Sequence, residues 1–372
     1  MTTEPLLDPC AWRDVASYVR GLEDMRAPLA TRIHPADEMY LYELSLPYRS
    51  REAAAINYFA TGHQIYRTVE DIVTWRFQRF DAVRSFLDFA SGYGRFTRFL
   101  VRGLAPQRVS VAEIDPDGVL FQEEAFGVRG IVSGATPAQL RLDESFDVIF
   151  ASSFFSHLPA VSFEAWLRRL QSGLSPGGIL IFSVHGMHLL PEPEADPSSG
   201  IVFRPVSETM RLDAAEYGTS WVTPEFVRAV TDRVGGGGRL FSFPSGLGGF
   251  QDLYVLLRPP SPLLPDLRLP RFPLGGCDRS AIGEDGVVSV EGWAEGDIGE
   301  RSPHMRLFLR DTIAGFLPGD AGSGSRRRWS FSFPLSAVSP DDVVRVEAES
   351  ARGLSRILVL ATTRPYLPAS ML

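Results

Sequence analysis

The amino-acid sequence predicts an α/β domain with a mostly parallel sheet, preceded by a helical region and followed by a small all-β sandwich. Between Arg84 and Arg258, short apolar runs alternate with helical segments, as in strand–helix–strand units. Six prolines lie within Pro259–Pro273, a density that excludes a helix or a central strand. Beyond them the apolar residues recur with a period of two, which is typical of half-buried strands. We therefore predict a helical region (1–83), the α/β domain (84–258), a Pro-rich linker (259–275) and a β-sandwich (276–372).

Each predicted element follows from its local pattern. Apolar residues three to four positions apart predict N-terminal helices at Ala11–Leu22 and Tyr66–Phe80. The strands predicted in the α/β domain are Ser85–Ala90, Arg108–Ile114, Gly130–Ser133, Phe146–Ala151, Gly178–Val184, Gly238–Phe243 and Asp252–Leu257. The helices predicted there are Phe96–Gly103, Gly118–Phe126, Phe163–Ser172 and Pro224–Arg233. In the last domain we predict a loop at Gly315–Arg328 and the strands Gly286–Trp293, Met305–Asp311, Arg328–Leu335, Asp342–Glu349 and Arg356–Ala361.

The composition excludes several classes of enzyme. All 37 basic side chains are Arg and the chain has no Lys, which rules out Lys Schiff bases, P-loop Lys residues and Ser-x-x-Lys acyl transferases. A net charge of −8 disfavours a nucleic-acid binder. Only two cysteines are present, so we expect no Cys-rich metal site. We also expect no signal peptide and no membrane span, and therefore a cytoplasmic protein.

The most informative segment is a glycine turn at Phe86–Phe96. A buried strand ends near an acid, Asp88, and leads into a small-residue turn that begins a helix. Such a turn lets the backbone approach a ligand closely, and the helix N-terminus favours negative charge. The dinucleotide pattern Gly-x-Gly-x-x-Gly fails, because its third glycine position is occupied by Thr97.

The turn, read as Asp88-x-Ala90-x-Gly92-x-Gly94, resembles motif I of class I S-adenosylmethionine (SAM)-dependent methyltransferases, with Ala90 in place of a glycine. Further motifs follow in the order typical of the small-molecule members: Asp115, which lies 21 positions after Gly94, Phe-Asp-x-Ile at 146–149, His-Leu-Pro at 157–159 and Leu-x-Pro-Gly-Gly at 174–178. The resemblance extends from about Tyr58 to Arg258 and implies a Rossmann-like sheet with SAM as cofactor. Residues 217–220 and the pair Gln251-Asp252 resemble a subgroup associated with surface polysaccharides.

The resemblance implies a role for each matching cofactor residue. Asp88 is expected near the methionine amino group of SAM. The backbone at Ala90, Gly92 and Gly94 is expected to approach SAM closely, and Asp115 is expected to bind the ribose hydroxyls. Glu113 is the alternative ribose acid in the neighbouring register. Pro116 is expected beside the adenine, Ser133 at its amino group, and Ser152 near the sulfonium.

His157 and His185 are the candidate catalytic bases, because each follows a predicted strand at the edge where open α/β sheets bind ligands. His188 is a weaker third candidate, and no set of metal ligands is evident. A saccharide hydroxyl is the favoured acceptor, since a hydroxyl needs a base. The alternatives are an N- or C-methyltransferase of a secondary metabolite and a non-catalytic SAM-binding module.

Anionic groups on the acceptor must be held by Arg or by backbone N–H groups in a chain without Lys. We expect Arg95, Arg204 and Arg211 to do this. The C-terminal domain resembles accessory β-domains that stand beside glycan-modifying enzymes, so we expect it to contact a glycan or to form a homo-oligomer.

Overall fold

The computed structural model describes residues 5–22, 28–46, 50–191, 199–206, 212–234, 237–260, 264–297, 299–320, 325–339 and 342–362. The chain forms two compact units. One consists essentially of residues 64–269, and the other combines residues 3–63 with residues 270–372. The predicted helical region (1–83) is thus divided between the two units, while the domain boundaries themselves remain predictions.

The bounds of the regular elements are as follows. The α-helices are α1 (Arg13–Leu22), α2 (Glu38–Ser45), α3 (Arg51–Phe77), α4 (Thr97–Gly103), α5 (Pro116–Phe126), α6 (Ala160–Ser172) and α7 (Pro224–Val234). The strands of the first unit are β1 (Phe86–Phe89), β2 (Val109–Glu113), β3 (Arg129–Val132), β4 (Phe146–Ala151), β5 (Leu174–Gly186), β6 (Ile201–Arg204), β7 (Thr219–Val222), β8 (Arg239–Leu247) and β9 (Gln251–Leu257). The strands of the second unit are β10 (Leu274–Ile282), β11 (Val287–Glu295), β12 (His304–Leu309), β13 (Thr312–Leu317), β14 (Arg326–Pro334), β15 (Val343–Glu349) and β16 (Ser355–Thr362).

The first unit is built on a parallel sheet in the order β3-β2-β1-β4-β5. The next strand, β9, is antiparallel to β5, and β8 continues the sheet beside β9. The central strands β1 and β4 are completely buried and therefore consist of apolar runs interrupted by single acids. This arrangement confirms the predicted α/β fold.

Strand β5 pairs with β9 and with β7 at different positions along its length. Residues Ile179–Val184 pair with β9, whereas His185 and Gly186 pair with Trp221 and Val222 of the parallel strand β7. The hairpin of β6 and β7 was not predicted from the sequence. It brings an additional short strand to the carboxyl end of β5.

One face of this sheet is covered by helix α6. The helix buries Phe163, Trp166, Leu167 and Leu170, at the three-to-four spacing that predicted it. These side chains belong to a core that includes residues of β1, β4, β5 and β9. Burial of apolar area contributes roughly 25 cal/mol per Å² to the free energy of folding. The packing of this core therefore fixes the strand ends that carry the candidate site.

The second unit is a pair of antiparallel sheets, β10-β11-β14 and β13-β12-β15-β16. Two of its strands were not predicted. β10 begins at the end of the predicted Pro-rich linker, and the second half of β13 lies inside the predicted loop Gly315–Arg328. β13 is an edge strand whose Ile313 and Phe316 are exposed, so its apolar residues do not mark a buried face.

Helix α1 belongs to this second unit. The Asp14 carboxylate accepts a hydrogen bond from the Val343 amide at 3.2 Å, and Arg13 pairs with Asp311 at 3.2 Å. The Arg345 guanidinium lies 4.9 Å from the ring centre of Tyr18. No local pattern predicts these contacts, because the partners are about 300 positions apart in the sequence. Among the described residues, no helix has both the length and the apolar character needed to cross a membrane.

Ala90 has a left-handed backbone with φ of +55°, where the resembling motif has glycine. We expect Ala90→Gly to stabilise the fold by up to about 1 kcal/mol. Relief of left-handed strain gives roughly 1–2 kcal/mol, and the greater freedom of glycine in the unfolded chain offsets part of it. Thermal unfolding measures the change. Ala90→Val is the matched control and should destabilise, so the idea fails if both variants lower the midpoint equally.

Candidate functional site

The glycine turn between β1 and α4 contains three left-handed residues at alternate positions. These are Ala90, Gly92 and Gly94, with φ of +55°, +58° and +78°. A Cβ on Gly92 would meet no atom within 4 Å. A Cβ on Gly94 would instead overlap the Phe126 ring and lie 2.9 Å from Gln122 Oε1. Gly94 is therefore required by packing, while the open side of Gly92 leaves room for a ligand.

Asp88 lies on β1 just before this turn and is 3% exposed. Its Oδ2 lies 2.7 Å from the hydroxyl of Thr97, the first residue of α4. The pKa of Asp88 is raised to about 7, chiefly by burial and also by the Glu113 carboxylate, while the Thr97 hydroxyl acts in the opposite direction. A carboxyl with a pKa near neutrality in a buried position is typical of a functional site.

Glu113 ends β2 and holds the turn in place. Its Oε2 accepts the Gly92 amide at 2.8 Å, and its Oε1 accepts the amides of Ile114 and Asp115 at 2.7 and 3.2 Å. Burial raises the pKa of Glu113, while the hydrogen bonds from these backbone N–H groups act to lower it. Gly118 of α5 lies close to the glycine turn: a Cβ on Gly118 would lie only 2.9 Å from the Gly92 carbonyl oxygen.

Asp115, the acid favoured from the sequence, follows β2 as the N-cap of α5. Its Oδ1 accepts the Asp117 amide at 3.1 Å and its Oδ2 accepts the Tyr93 hydroxyl at 2.9 Å. Pro116 is the first residue of the helix, where its missing N–H costs nothing. Both acids therefore accept local hydrogen bonds and both contact the glycine turn, Glu113 through the Gly92 amide and Asp115 through the Tyr93 hydroxyl.

Ser133 and Ser152 follow the carboxyl ends of β3 and β4. The Ser133 amide donates to the Glu113 carbonyl oxygen at 2.8 Å, so this serine lies close to the end of β2. Ser152 is half-buried and precedes Ser153, whose left-handed φ is +53°. The strand ends named from the sequence therefore form one edge of the sheet.

His157 and His185 come together at the ends of β4 and β5. Their ring centres are 6.2 Å apart. His157 Nδ1 lies 2.7 Å from the Gly218 carbonyl oxygen, and its ring stacks on Tyr217 at 4.8 Å. His185 lies 6.1 Å from Trp221. The pKa of His185 is lowered to about 4, chiefly by burial and also by the nearby His157, while a main-chain contact with Ser220 acts in the opposite direction.

The structure adds Gln251 to this cluster. Its Oε1 accepts the hydroxyls of Ser183 and Ser153 at 2.6 and 3.2 Å, and its Nε2 lies 3.2 Å from His185 Nε2. Gln251 stood out in the sequence only through a family resemblance. Trp221 was not predicted from the sequence, because its strand β7 has only four residues, too few to show a recognisable alternation of apolar and polar residues.

The remaining sequence candidates lie at or near this edge. His188 Nε2 is 3.9 Å from Asp252 Oδ1. The Arg204 guanidinium lies 5.5 Å from the ring centre of Trp221. Arg95 follows the glycine turn and is half-buried, and Arg211 lies outside the described residues. In the part of the chain that the structure describes, no three His, Cys, Asp or Glu side chains are grouped to hold a metal ion.

Comparison with protein families identifies the part of the chain that contains this edge of the sheet. Residues 61–223 match a family model described as "Methyltransferase domain". The chain contains a methyltransferase domain. The match spans β1 to β7 and includes the glycine turn and both histidines. It confirms the predicted enzyme class, a SAM-dependent methyltransferase on a Rossmann-like sheet.

Similar individual proteins are more distant. The ribosomal protein L11 methyltransferase of Agrobacterium fabrum is 26% identical over 179 residues, which cover 45% of this chain and 58% of that protein. DesVI of Streptomyces venezuelae is 17% identical, with a TM-score of 0.42 over 61% of this chain and 99% of that structure. NodS, an N-methyltransferase of Bradyrhizobium japonicum, is 13% identical, with a TM-score of 0.36 over 60% and 98% of the two chains. The chain spans little more than half of the L11 enzyme, so acceptor and partners are a matter for proposal.

The two glycines of the methyltransferase turn should respond differently to alanine. We expect Gly94→Ala to destabilise by about 1–3 kcal/mol, because its methyl group would overlap the buried Phe126 ring. Gly92→Ala has free space and should cost only the left-handed strain, roughly 1–2 kcal/mol, while weakening any ligand that uses that space. Chemical denaturation and SAM titration of both variants separate these effects. A Gly94→Ala protein as stable as wild type would contradict the packing argument.

Proposed function

We propose that this chain transfers a methyl group from SAM to a small polar acceptor, most directly a hydroxyl of a saccharide or glycan precursor. The observation that carries the proposal is the meeting of His157 and His185 at the edge of the sheet that also holds the glycine turn. In open α/β sheets, ligands bind outside the carboxyl ends of the strands. Cofactor and acceptor residues thus share one edge.

The residues of the cofactor half suit SAM. The open side of Gly92 admits a ligand against the backbone. Asp88 offers a buried carboxyl for the ammonium group of the methionine part. We assign the ribose hydroxyls to Glu113 rather than Asp115, because Glu113 contacts the backbone of the glycine turn through the Gly92 amide. Pro116, Ser133 and Ser152 follow strands β2, β3 and β4 around this half and keep their proposed adenine and sulfonium roles.

The acceptor half combines bases and aromatic rings. SAM supplies the reactive sulfonium methyl group, and the protein positions the acceptor in line with it. A hydroxyl acceptor must lose its proton, and an imidazole within reach can take it. Tyr217 and Trp221 provide ring faces with polar edges, and Arg204, beside Trp221, can pair with a phosphate or uronate group.

An N-methyltransferase is the second candidate function. The low pKa of His185, about 4, keeps this ring neutral and makes it a weak base at neutral pH. An amine acceptor needs little more than deprotonation, so a weak base would suffice for it.

For the β-domain we propose glycan binding or self-association. For the whole protein we propose a role in polysaccharide biosynthesis in the cytoplasm.

A labelled-methyl assay against sugar nucleotides, glycans and matched amino sugars tests the proposed acceptor. We expect transfer to a hydroxyl, with kcat falling about 10²–10⁴-fold when the histidine that acts as base is replaced by Gln. His157→Gln and His185→Gln serve as controls for each other, and binding of S-adenosylhomocysteine (SAH) shows that each variant is folded. Transfer only to amino sugars would overturn the hydroxyl assignment, and SAH binding without any transfer would favour a non-catalytic module.

The ribose assignment predicts unequal effects of two neighbouring acids. We expect Glu113→Gln to weaken SAH binding about 10–100-fold, because it removes the charged acceptor beside the glycine turn, and charge-assisted hydrogen bonds contribute roughly 1.5–3 kcal/mol. Asp115→Asn should weaken binding less than about 3-fold, since the Gly92 amide is held by Glu113. Calorimetric titration of both proteins measures the difference. Equal loss, or a larger loss in Asp115→Asn, would return the role to Asp115.

A further inference from the structure

Three oxygen atoms of the methyltransferase domain lie in a buried row behind the glycine turn. The Thr97 hydroxyl oxygen is 2.7 Å from Asp88 Oδ2 and 2.8 Å from Gln122 Oε1. Thr97 and Gln122 are completely buried and Asp88 nearly so. Both distances are those of O–H···O hydrogen bonds, so each of the two gaps in the row needs a proton.

The orientation of the Gln122 amide is fixed by its other contacts. Its Nε2 lies 2.9 Å from the Gly92 carbonyl oxygen and 3.3 Å from that of Gly118. Carbonyl oxygens only accept hydrogen bonds, so the amino group must face them. The acceptor atom Oε1 is therefore the one turned toward Thr97.

The row is one proton short if Asp88 is ionised. A threonine hydroxyl carries a single proton, and neither a carboxylate nor an amide oxygen supplies another. Without a further proton, one of the two short contacts would join two acceptors in a site shielded from water. The second proton must lie on Asp88, which then donates to Thr97 while Thr97 donates to Gln122.

The surroundings of Asp88 favour its neutral form. Its partners in register are the apolar Val111 on β2 and Phe150 on β4. Glu113 at the end of β2 is the ionisable group whose charge acts on it, and that charge opposes ionisation. The pKa of Asp88, raised to about 7 chiefly by burial, agrees with the proton count.

We propose that Thr97 and Gln122 hold Asp88 as a neutral carboxyl in the free protein, and that binding of the cofactor's ammonium group expels this proton to solvent. The proposal rests on the proposed cofactor role of Asp88. On binding, the O–H bond of Asp88 breaks, the proton leaves to water, and the carboxylate pairs with the ammonium. Gln122 is a positioning residue in this scheme, because it acts through Thr97.

The pH dependence follows from the sign of this change. Asp88 has a pKa of about 7 in the free protein and a lower one beside a bound cation. SAH affinity should therefore rise about tenfold per pH unit up to about pH 7 and level off above it. Proton release should be close to one at pH 5.5 and about one quarter at pH 7.5, as follows from that pKa.

Calorimetric titration with SAH from pH 5.5 to 7.5, in buffers of different ionisation heat, measures the proton release directly. This range lies below the titration of an α-amino group, near pH 8. Methylthioadenosine, which lacks the ammonium and carboxylate groups, is the control ligand and should bind without releasing a proton. SAH binding without proton release at pH 5.5 overturns the proposal. No SAH binding at any pH would instead overturn the cofactor site itself.

Gln122→Met separates positioning from simple structural support. The substitution removes the competing acceptor, so the Thr97 proton turns to Asp88, stabilises the carboxylate and lowers its pKa. Proton release at pH 6.5 should fall by at least twofold, whatever the change in affinity, and an unchanged release would refute the role of Gln122.

Glu113→Gln tests the other buried acid. It removes a charge that raises the pKa of Asp88, so the proton release should persist at pH 5.5 and decrease at higher pH. Loss of the release at pH 5.5 in that variant would assign the proton to Glu113 instead. A carboxyl-carbon NMR titration of the free protein, assigned with Asp88→Asn, reads the same proton without any ligand. An Asp88 signal that titrates near pH 4 would also overturn the proposal.

Discussion

The left-handed turn between β1 and α4 is the constraint on which the site of this methyltransferase domain depends. A fully buried strand has to stop, reverse direction and begin a helix within a few residues, and this forces three left-handed residues into the turn. The Glu113 carboxylate fixes the turn by accepting the Gly92 amide, and Gln122 fixes it by donating to the Gly92 carbonyl. The amide and the carbonyl group of Gly92 are thus hydrogen-bonded to side chains of two neighbouring elements, β2 and α5. The turn leaves its open side for a ligand because its other side is fully occupied.

The same packing explains the unusual state of the polar groups behind the turn. Asp88, Thr97 and Gln122 lie between buried strands and helices, where a charge without a partner is costly. A neutral, hydrogen-bonded row is stable there, and in the proposed scheme it becomes charged only when a cation binds. The buried acid would then serve the closed core in the free protein and ligand binding in the complex.

The acceptor side depends on the length of β5. This strand pairs with β9 along its middle and with β7 at its end, so it carries His185 beyond the sheet core to the β6–β7 hairpin. The hairpin contributes Trp221, and the loop before β7 contributes Tyr217 and the carbonyl group that binds His157. Gln251, at the start of β9, reaches the same ring. Four separate segments of the chain meet at two imidazoles, which gives the site polar contacts that no single motif contains.

The sequence by itself determined the helices α4–α7 and the strands β1–β5, β8 and β9 in their order, the glycine turn, and the positions of Asp88, His157 and His185 near strand ends, because these depend on local pattern and spacing. Tertiary structure decided how the two acids contact the turn: Glu113 accepts the Gly92 amide, while Asp115 caps α5 and accepts the Tyr93 hydroxyl. It also decided that helix α1 belongs with the C-terminal sheets, and that Gln251 and Trp221 stand beside His185. The strands β6, β7, β10 and β13 escaped prediction because they are short, glycine-rich or at an edge, where burial does not alternate clearly. The physical reason is the same in each case: local sequence sets the dihedral angles and the apolar faces, but contacts between distant segments depend on packing, which no local pattern records.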